Sequence, residues 1–198
     1  MNRLVCVVEG KGEVAAVPNL CARVLRHLDI QGWVVDGNPV RRHRNQMVDE
    51  GAPGPGRLCH RDGIARAMAM ARARPASAVL ILCDADDDCP GAWAQSVGQL
   101  LAERGDTGAA VMAVREFEGW LLWSRYGYRI PAPSSRSPEV VRGAKERLQT
   151  LVKGYRPTTS QLLLTRQIDI ARLRAVSPSF DKFVRTVAAL CCGKKAAP

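Results

Sequence analysis

Hydrophobic and polar positions in the first part of the chain alternate between strand-like and helix-like patterns. Residues 4–8 form a continuous apolar run rich in valine, which is typical of a strand buried on both faces. From Glu13 onward the apolar positions recur at spacings of three and four, which predicts a helix. The run 33–35 predicts a short second strand. Residues 37–58 are rich in Gly, Pro and Arg, which predicts a long surface loop.

The same alternation continues to about residue 115. Residues 60–74 predict a helix, and residues 77–84 predict a second fully apolar strand that ends in an acid. A further helix over 91–104 and a further strand over 108–114 follow. Strands that alternate with helices imply an α/β fold, with a largely parallel, Rossmann-like sheet and helices on both faces.

Beyond about residue 130 the pattern changes, and the rest of the chain predicts helices only. A length of 198 residues fits one domain with an appendage. We therefore expect an α/β domain over 1–125 and a basic helical extension over 126–192 that packs on it. Residues 193–198 are expected to be a disordered tail.

Composition narrows the class of protein. No apolar run reaches the length of a membrane span, and the first 30 residues lack a signal-peptide pattern. The seven cysteines are odd in number and include no C-x-x-C pair, which argues against a zinc site or a disulfide framework. We therefore expect a reduced, cytoplasmic protein with no zinc and no membrane partner.

The distribution of charge favours a polyanionic partner. The net charge is +10, and residues 129–174 carry ten Lys or Arg against three acids. Such an excess is typical of proteins that bind nucleic acid, either DNA or RNA, although an arginine-rich proteome would give a similar composition. The candidate nucleic-acid-binding residues are Arg41, Arg42, Arg44, Arg142, Lys145, Arg147 and Lys153.

The first candidate for chemistry is the stretch VVEGKGE at residues 7–13. Glu9 stands where the first strand ends, Gly10 and Gly12 permit a tight turn, and Glu13 begins the next helix. In open α/β sheets, ligands bind at the carboxyl ends of the strands. The alternative is a solvated turn that places a favourable charge at a helix N-terminus.

A second acidic group follows the apolar strand that ends at residue 84. Asp84 and Asp86 point the same way if the chain is extended, so they can offer two carboxylates to one cation. Carboxylates this close are costly unless a metal or protons neutralise them, and oxygen ligands favour Mg²⁺ or Mn²⁺. The alternative is an acidic turn that caps the next helix. Neighbouring strands lie about 4.8 Å apart, so Glu9 can converge on the same site.

Together these motifs resemble the Toprim domain of topoisomerases, primases and overcoming-lysogenization-defect nucleases. The shared features are a strand ending in Glu-Gly, an acid at the next helix start, and a later strand ending in Asp-x-Asp. The resemblance covers roughly residues 1–120. Further blocks resemble a bacterial Toprim-like family catalogued as domain of unknown function 4276: REFEGWLL at 115–122, KGY at 153–155 and RQIDIARLRAVSPSFDKFV at 166–184.

The Toprim resemblance implies specific roles for the acids. Glu9 matches a general acid/base or metal ligand, Asp84 and Asp86 match a Mg²⁺-binding pair, and Glu13 and Asp88 match additional acids. Independently of the resemblance, Glu116 and Glu118 follow the last predicted strand, so one of them is a candidate for a second metal site. Charge compensation at a helix N-terminus is the alternative for both.

The expected function is therefore a Mg²⁺- or Mn²⁺-dependent nuclease that hydrolyses phosphodiester bonds of DNA or RNA. The resemblance implies a setting such as phage defence and a separately encoded ATPase as partner. Two alternatives remain: a non-catalytic nucleic-acid-binding subunit that keeps the Toprim fold, and a metal-dependent phosphotransfer or nucleotide-processing enzyme. The full carboxylate set favours catalysis over the first, and the long basic region favours a polymer over the second.

Overall fold

A parallel sheet of five strands forms the centre of the computed structural model, which describes residues 1–51, 57–126, 139 and 142–192. The strands are β1 (Asn2–Val8), β2 (Trp33–Val35), β3 (Val40–Arg41), β4 (Ala78–Asp84) and β5 (Gly108–Ala113). Their order is β2-β1-β4-β5, and β3 pairs with β1 beyond the end of β2. Every strand pair is parallel, which confirms the predicted sheet.

Helices cover both faces of this sheet, as the alternating pattern predicts. In the described part of the chain the helices are α1 (Glu13–His27), α2 (Arg61–Arg72), α3 (Pro90–Glu103), α4 (Phe117–Tyr126), α5 (Ala144–Leu151), α6 (Pro157–Thr165), α7 (Ile170–Val176) and α8 (Pro178–Cys192). Side chains of β1 and β4 alternate between the two faces, because successive residues of a strand point to opposite sides. One set packs with α1, α4 and α8, and the other packs with α2 and α3.

The helices after residue 142 share a hydrophobic core with the sheet. Phe180 and Phe183 of α8 pack against Trp120 of α4, with ring centroids 5.2 Å apart in both pairs. The same core includes Leu148 of α5 and Leu164 of α6. The division into two parts near residue 125 stays a prediction, and the predicted tail, residues 193–198, lies outside the described residues.

The segment predicted as a surface loop, residues 37–58, is more structured than its composition indicates. It contains β3 and a 3₁₀ turn at Arg44–Gln46, and Met47 and Val48 are fully buried. The indole of Trp93 donates a hydrogen bond to the carbonyl of Met47 over 3.0 Å. The loop prediction was therefore wrong over this part, because contacts with distant helices, rather than local periodicity, fix its course.

Among the described residues, no helix combines the length and the apolar character that a membrane crossing requires.

Candidate active site

The ends of β1 and β4 place two acids of distant sequence side by side. Glu9 directly follows β1, and Asp84 is the last residue of β4. Oε2 of Glu9 accepts hydrogen bonds from the Asp84 amide over 3.3 Å and from the Cys83 thiol over 3.0 Å. Because parallel strands end at the same edge of a sheet, the pairing of β1 with β4 accounts for this contact.

The glycine turn after β1 brings a second carboxylate to Glu9. Oε2 of Glu13 accepts a hydrogen bond from the Glu9 amide over 3.1 Å, so the side chain folds back over the turn. A Cβ at Gly10 would lie only 2.7 Å from Oε1 of Glu13. A side chain at position 10 would therefore displace the Glu13 carboxylate from this place; Glu13 itself is only 3% exposed.

The segment after β5 contacts Asp84 and adds one more buried acid. Oδ1 of Asp84 accepts a hydrogen bond from the amide of Phe117 over 2.8 Å, at the start of α4. The next residue, Glu118, is 6% exposed, and its charge acts on both Asp84 and Glu13. We call Glu9, Glu13, Asp84 and Glu118 the inner carboxylates.

The inner carboxylates are electrostatically unfavourable to one another. Burial raises the pKa of Glu13 from 4.5 to about 7, and the charge of Glu9 adds to the increase. Burial also raises the pKa of Asp84 well above its ordinary value, with further contributions from Glu13 and Glu9. Within the described chain, Glu13, Asp84 and Glu118 have no ion-pair partner. Protons or a cation are needed to offset these charges.

Unlike most of the inner carboxylates, the three acids that follow Asp84 are each paired with an arginine: Asp86, Asp87 and Asp88. We call them the outer aspartates. Arg44 lies 3.3 Å from Asp86 and also pairs with Asp88, which Arg57 approaches to 3.8 Å. The described ion pairs of Asp87 are with Arg115 and Arg142.

The assumption that Asp84 and Asp86 share one direction along an extended chain was wrong. Asp86 has a φ of +48°, which lies in the left-handed region, so the chain turns immediately after Ala85. The Asp86 side chain is 62% exposed and pairs with Arg44, whereas Asp84 accepts the Phe117 amide. The Asp84 and Asp86 carboxylates therefore have different partners.

Glu116 and Glu118 also have different roles. Oε1 of Glu116 accepts the amides of Ala144 over 2.7 Å and Lys145 over 3.2 Å, so Glu116 binds the N-terminus of α5. Burial raises the pKa of Glu116. Glu118 instead accepts hydrogen bonds from Tyr155 and Gln161. Sequence reasoning did not identify these two donors as site residues, although Tyr155 belongs to the KGY block.

Some of the predicted nucleic-acid-binding residues contact other groups of the protein, and others have no ion-pair partner in the described chain. Arg44 and Arg142 pair with the outer aspartates. Nε of Arg41 donates to the carbonyl of Glu9 over 3.1 Å, and Arg42 contacts the sulfur of Met70 over 3.0 Å. Within this set, the exposed side chains with no ion-pair partner in the described chain are Lys145, Arg147 and Lys153.

The chemistry of the inner carboxylates suits a hard divalent cation, since they offer buried oxygen ligands with little basic compensation. Within the residues that the structure describes, no three His, Cys, Asp or Glu side chains already surround a common metal position. Glu9 and Asp84 instead accept hydrogen bonds from backbone amides. The carboxylate of Glu13 likewise accepts the Glu9 amide. To coordinate a cation, the side chains of Glu9, Glu13 and Asp84 would have to rotate away from these donors.

A comparison with protein families matches residues 8–188 to the family described as domain of unknown function (DUF4276). The chain belongs to this family. Searches of curated proteins and of solved structures each gave no significant match. The DUF4276 match includes the inner carboxylates as well as Tyr155 and Gln161, so it extends over both the sheet and the helices after residue 142.

Proposed function

We propose that this DUF4276 protein is a Mg²⁺- or Mn²⁺-dependent hydrolase of phosphodiester bonds in nucleic acid, with a Toprim-like site. One observation carries the proposal: Glu13, Asp84 and Glu118 lie at strand and helix ends without an ion-pair partner in the described chain, and Glu9 adjoins them. Such a group is costly for a protein to maintain unless it binds a cation, and perturbed carboxylates of this kind are typical of functional sites.

In this proposal Glu9, Glu13 and Asp84 hold the metal ion. When bound, the ion supplies charge neutralisation at the phosphate oxygens and an activated water. Glu9 is also the proposed general acid/base. Its side chain is 22% exposed, whereas Glu13 and Glu118 are almost fully buried, so Glu9 is accessible to a substrate and its water.

The proposed contacts to substrate phosphates are the exposed basic residues Lys145, Arg147 and Lys153. A chain with a net charge of +10 attracts polyanions, which supports a polymeric nucleic-acid substrate over a small nucleotide. The proposal includes a reduced, cytoplasmic setting, because the cysteines in the described chain are free thiols. A role in phage defence beside a separately encoded ATPase follows from the Toprim resemblance.

A non-catalytic nucleic-acid-binding subunit is the second candidate, and the outer aspartates favour it. Four arginines, Arg44, Arg57, Arg115 and Arg142, pair with these three acids, so most of the acidic loop needs no metal ion to offset its charge. On this alternative the fold is retained for binding, and Glu13 and Asp84 are partly protonated instead of holding a metal ion.

A cleavage assay distinguishes the two candidates. Wild-type protein is incubated with single- and double-stranded DNA and RNA in Mg²⁺, Mn²⁺ or chelator, with and without the ATPase partner. We expect metal-dependent cleavage that Glu9→Gln and Asp84→Asn each abolish while binding is preserved. Glu103→Gln is the control, because Glu103 is 56% exposed and pairs only with Arg61 in the described chain. Binding without cleavage under every condition would favour the non-catalytic candidate.

A further inference from the structure

Glu118, the most deeply placed acid after β5, is held by side chains from the far end of the chain. Its Oε1 accepts a hydrogen bond from the Tyr155 hydroxyl over 3.2 Å and another from Nε2 of Gln161 over 2.9 Å. Tyr155 precedes α6 and Gln161 lies within it. Two donors on one oxygen fix both the position and the orientation of the carboxylate.

Both donors are themselves buried, so their contact with Glu118 is not an incidental surface contact. Tyr155 is 7% exposed and Gln161 is 3% exposed. A buried hydroxyl or amide is destabilising unless it finds a hydrogen-bond partner, and for the Tyr155 hydroxyl the described partner is Glu118. Glu118 therefore supplies a hydrogen-bond acceptor to both buried donors.

Gln161 also contacts the glycine turn between Glu9 and Glu13. A Cβ at Gly12 would collide with Oε1 of Gln161 and would lie 2.7 Å from the carbonyl oxygen of Pro157. The backbone of Gly12 is ordinary right-handed helix, so glycine is needed here for space and not for an unusual conformation. Helix α6 therefore packs directly against the turn between Glu9 and Glu13.

The amide oxygen of Gln161 indicates that this residue does more than fill space. This Oε1 is buried and has no hydrogen-bond partner among the described residues, although Nε2 of the same side chain donates to Glu118. An apolar side chain could fill the same space without leaving an oxygen unpaired. Retaining an amide at this position therefore has a stability cost, and donation to Glu118 is the described interaction that offsets it.

We infer that Glu118 is a further ligand of the proposed divalent-cation site, and that Tyr155 and Gln161 are positioning residues that hold its carboxylate near Asp84 and Glu13. This inference rests on the proposed function. It makes the helical region after residue 142 part of the site, whereas the sequence motifs placed every candidate metal ligand before residue 120. Groups that orient a metal-binding carboxylate commonly change metal affinity by about 10- to 100-fold when they are removed.

The test measures Mn²⁺ binding by calorimetry on the full-length protein. Tyr155→Phe removes one hydroxyl and Gln161→Met removes the amide while conserving the length of the side chain. We expect each variant to bind Mn²⁺ about 10- to 100-fold more weakly than wild type. Thr165→Val is the matched control: Thr165 lies in α6 with Gln161, is fully buried, and its hydroxyl has no hydrogen-bond partner among the described residues.

A double-mutant cycle tests whether the two residues act through Glu118. In a Glu118→Gln background, Tyr155→Phe should cause little further decrease in Mn²⁺ affinity, because the carboxylate that it orients is already absent. A purely structural role for the hydroxyl would give the same decrease in both backgrounds. Thermal melting of each variant confirms folding, and Tyr155→Phe alone carries the test if Gln161→Met does not fold.

The possible outcomes separate the inference from the function on which it rests. If wild type binds Mn²⁺ and both variants bind as tightly as Thr165→Val, the positioning role is wrong and the proposed function stands. If Tyr155→Phe weakens binding equally with and without Glu118, the role is also wrong. If wild type does not bind Mn²⁺ at all, the proposed metal site fails, and this inference fails with it.

Discussion

The Asp84 amide donates a hydrogen bond to Oε2 of Glu9 over 3.3 Å, although 75 positions separate the two residues in sequence. The contact exists because β1 and β4 are adjacent and parallel, so both strands end at one edge of the sheet. Of these two carboxylates, only Glu9 lies within ion-pair distance of a basic side chain in the described chain, with Arg44 3.9 Å away. The electrostatic cost of this arrangement has measurable consequences for stability and for metal binding.

The first prediction concerns Glu13 and the pH dependence of stability without metal. Its pKa is about 7 in the folded protein and about 4.5 when unfolded, so folding binds a proton in this range. The stabilising effect of the protonated carboxyl is complete below pH 4.5 and is lost as the pH rises through 7. The loss is of the order of 3 kcal/mol. Glu13→Gln should therefore match wild type near pH 4.5 and exceed its free energy of unfolding at pH 8.

Denaturant unfolding of both proteins in chelator at pH 4.5, 6 and 8 measures this difference. Glu103→Gln is again the control, since Glu103 is exposed and its charge is paired with Arg61. A constant difference between Glu13→Gln and wild type at all three pH values would contradict the assigned pKa.

The second prediction concerns stabilisation by metal. A ligand that binds only the folded state stabilises it by about 2.7 kcal/mol at a hundredfold excess over Kd. Mg²⁺ or Mn²⁺ should therefore raise the melting temperature at pH 8, and Asp84→Asn should remove most of that increase. The asparagine side chain of this variant can still accept the Phe117 amide through its carbonyl oxygen, so the variant should fold. An undiminished metal-induced increase in Asp84→Asn would place the cation elsewhere.

The third prediction concerns Arg44, which is the basic side chain within ion-pair distance of an inner carboxylate in the described part of the chain. Its guanidinium lies 3.9 Å from Glu9 and donates to the carbonyl of Asp84 over 2.6 Å, so it already supplies positive charge at the edge of the proposed site. Arg44→Gln should raise Mn²⁺ affinity roughly fivefold to tenfold, because a neighbouring cation opposes a second one. Arg44→Lys retains the charge and should stay near wild type. Weaker Mn²⁺ binding in Arg44→Gln would show that Arg44 supports the cation site instead of competing with it.

The sequence predicted those parts of the fold that depend on local pattern. The apolar runs around Val7 and Leu80 each identify a buried strand, and the acids that end these strands follow directly. The arginine partners of the outer aspartates were not predictable in this way, because they lie 28 to 55 positions away from the acids in sequence. Nothing near Tyr155 in sequence indicates a contact with Glu118 either. Long-range pairs leave no periodic signal in the chain, so they emerge only when the fold brings the segments together.

The last prediction concerns the basic surface. Lys145, Arg147 and Lys153 are exposed and without ion-pair partners in the described chain, whereas Arg142 pairs with Asp87. Binding to DNA or RNA should weaken steeply with salt, and the slope of log K against log salt should flatten by about 0.7 to 0.9 for every phosphate that a variant no longer neutralises. Charge reversal at Lys145, Arg147 and Lys153 together should therefore reduce the slope by about two to three. Arg66→Glu, at an exposed position of α2, changes the net charge by the same amount as one of these reversals, so it is the control for Lys145→Glu, Arg147→Glu and Lys153→Glu measured singly. Equal slopes for the triple variant and for Arg66→Glu would place the polyanion site elsewhere, with Arg41 and Arg42 the next residues to test.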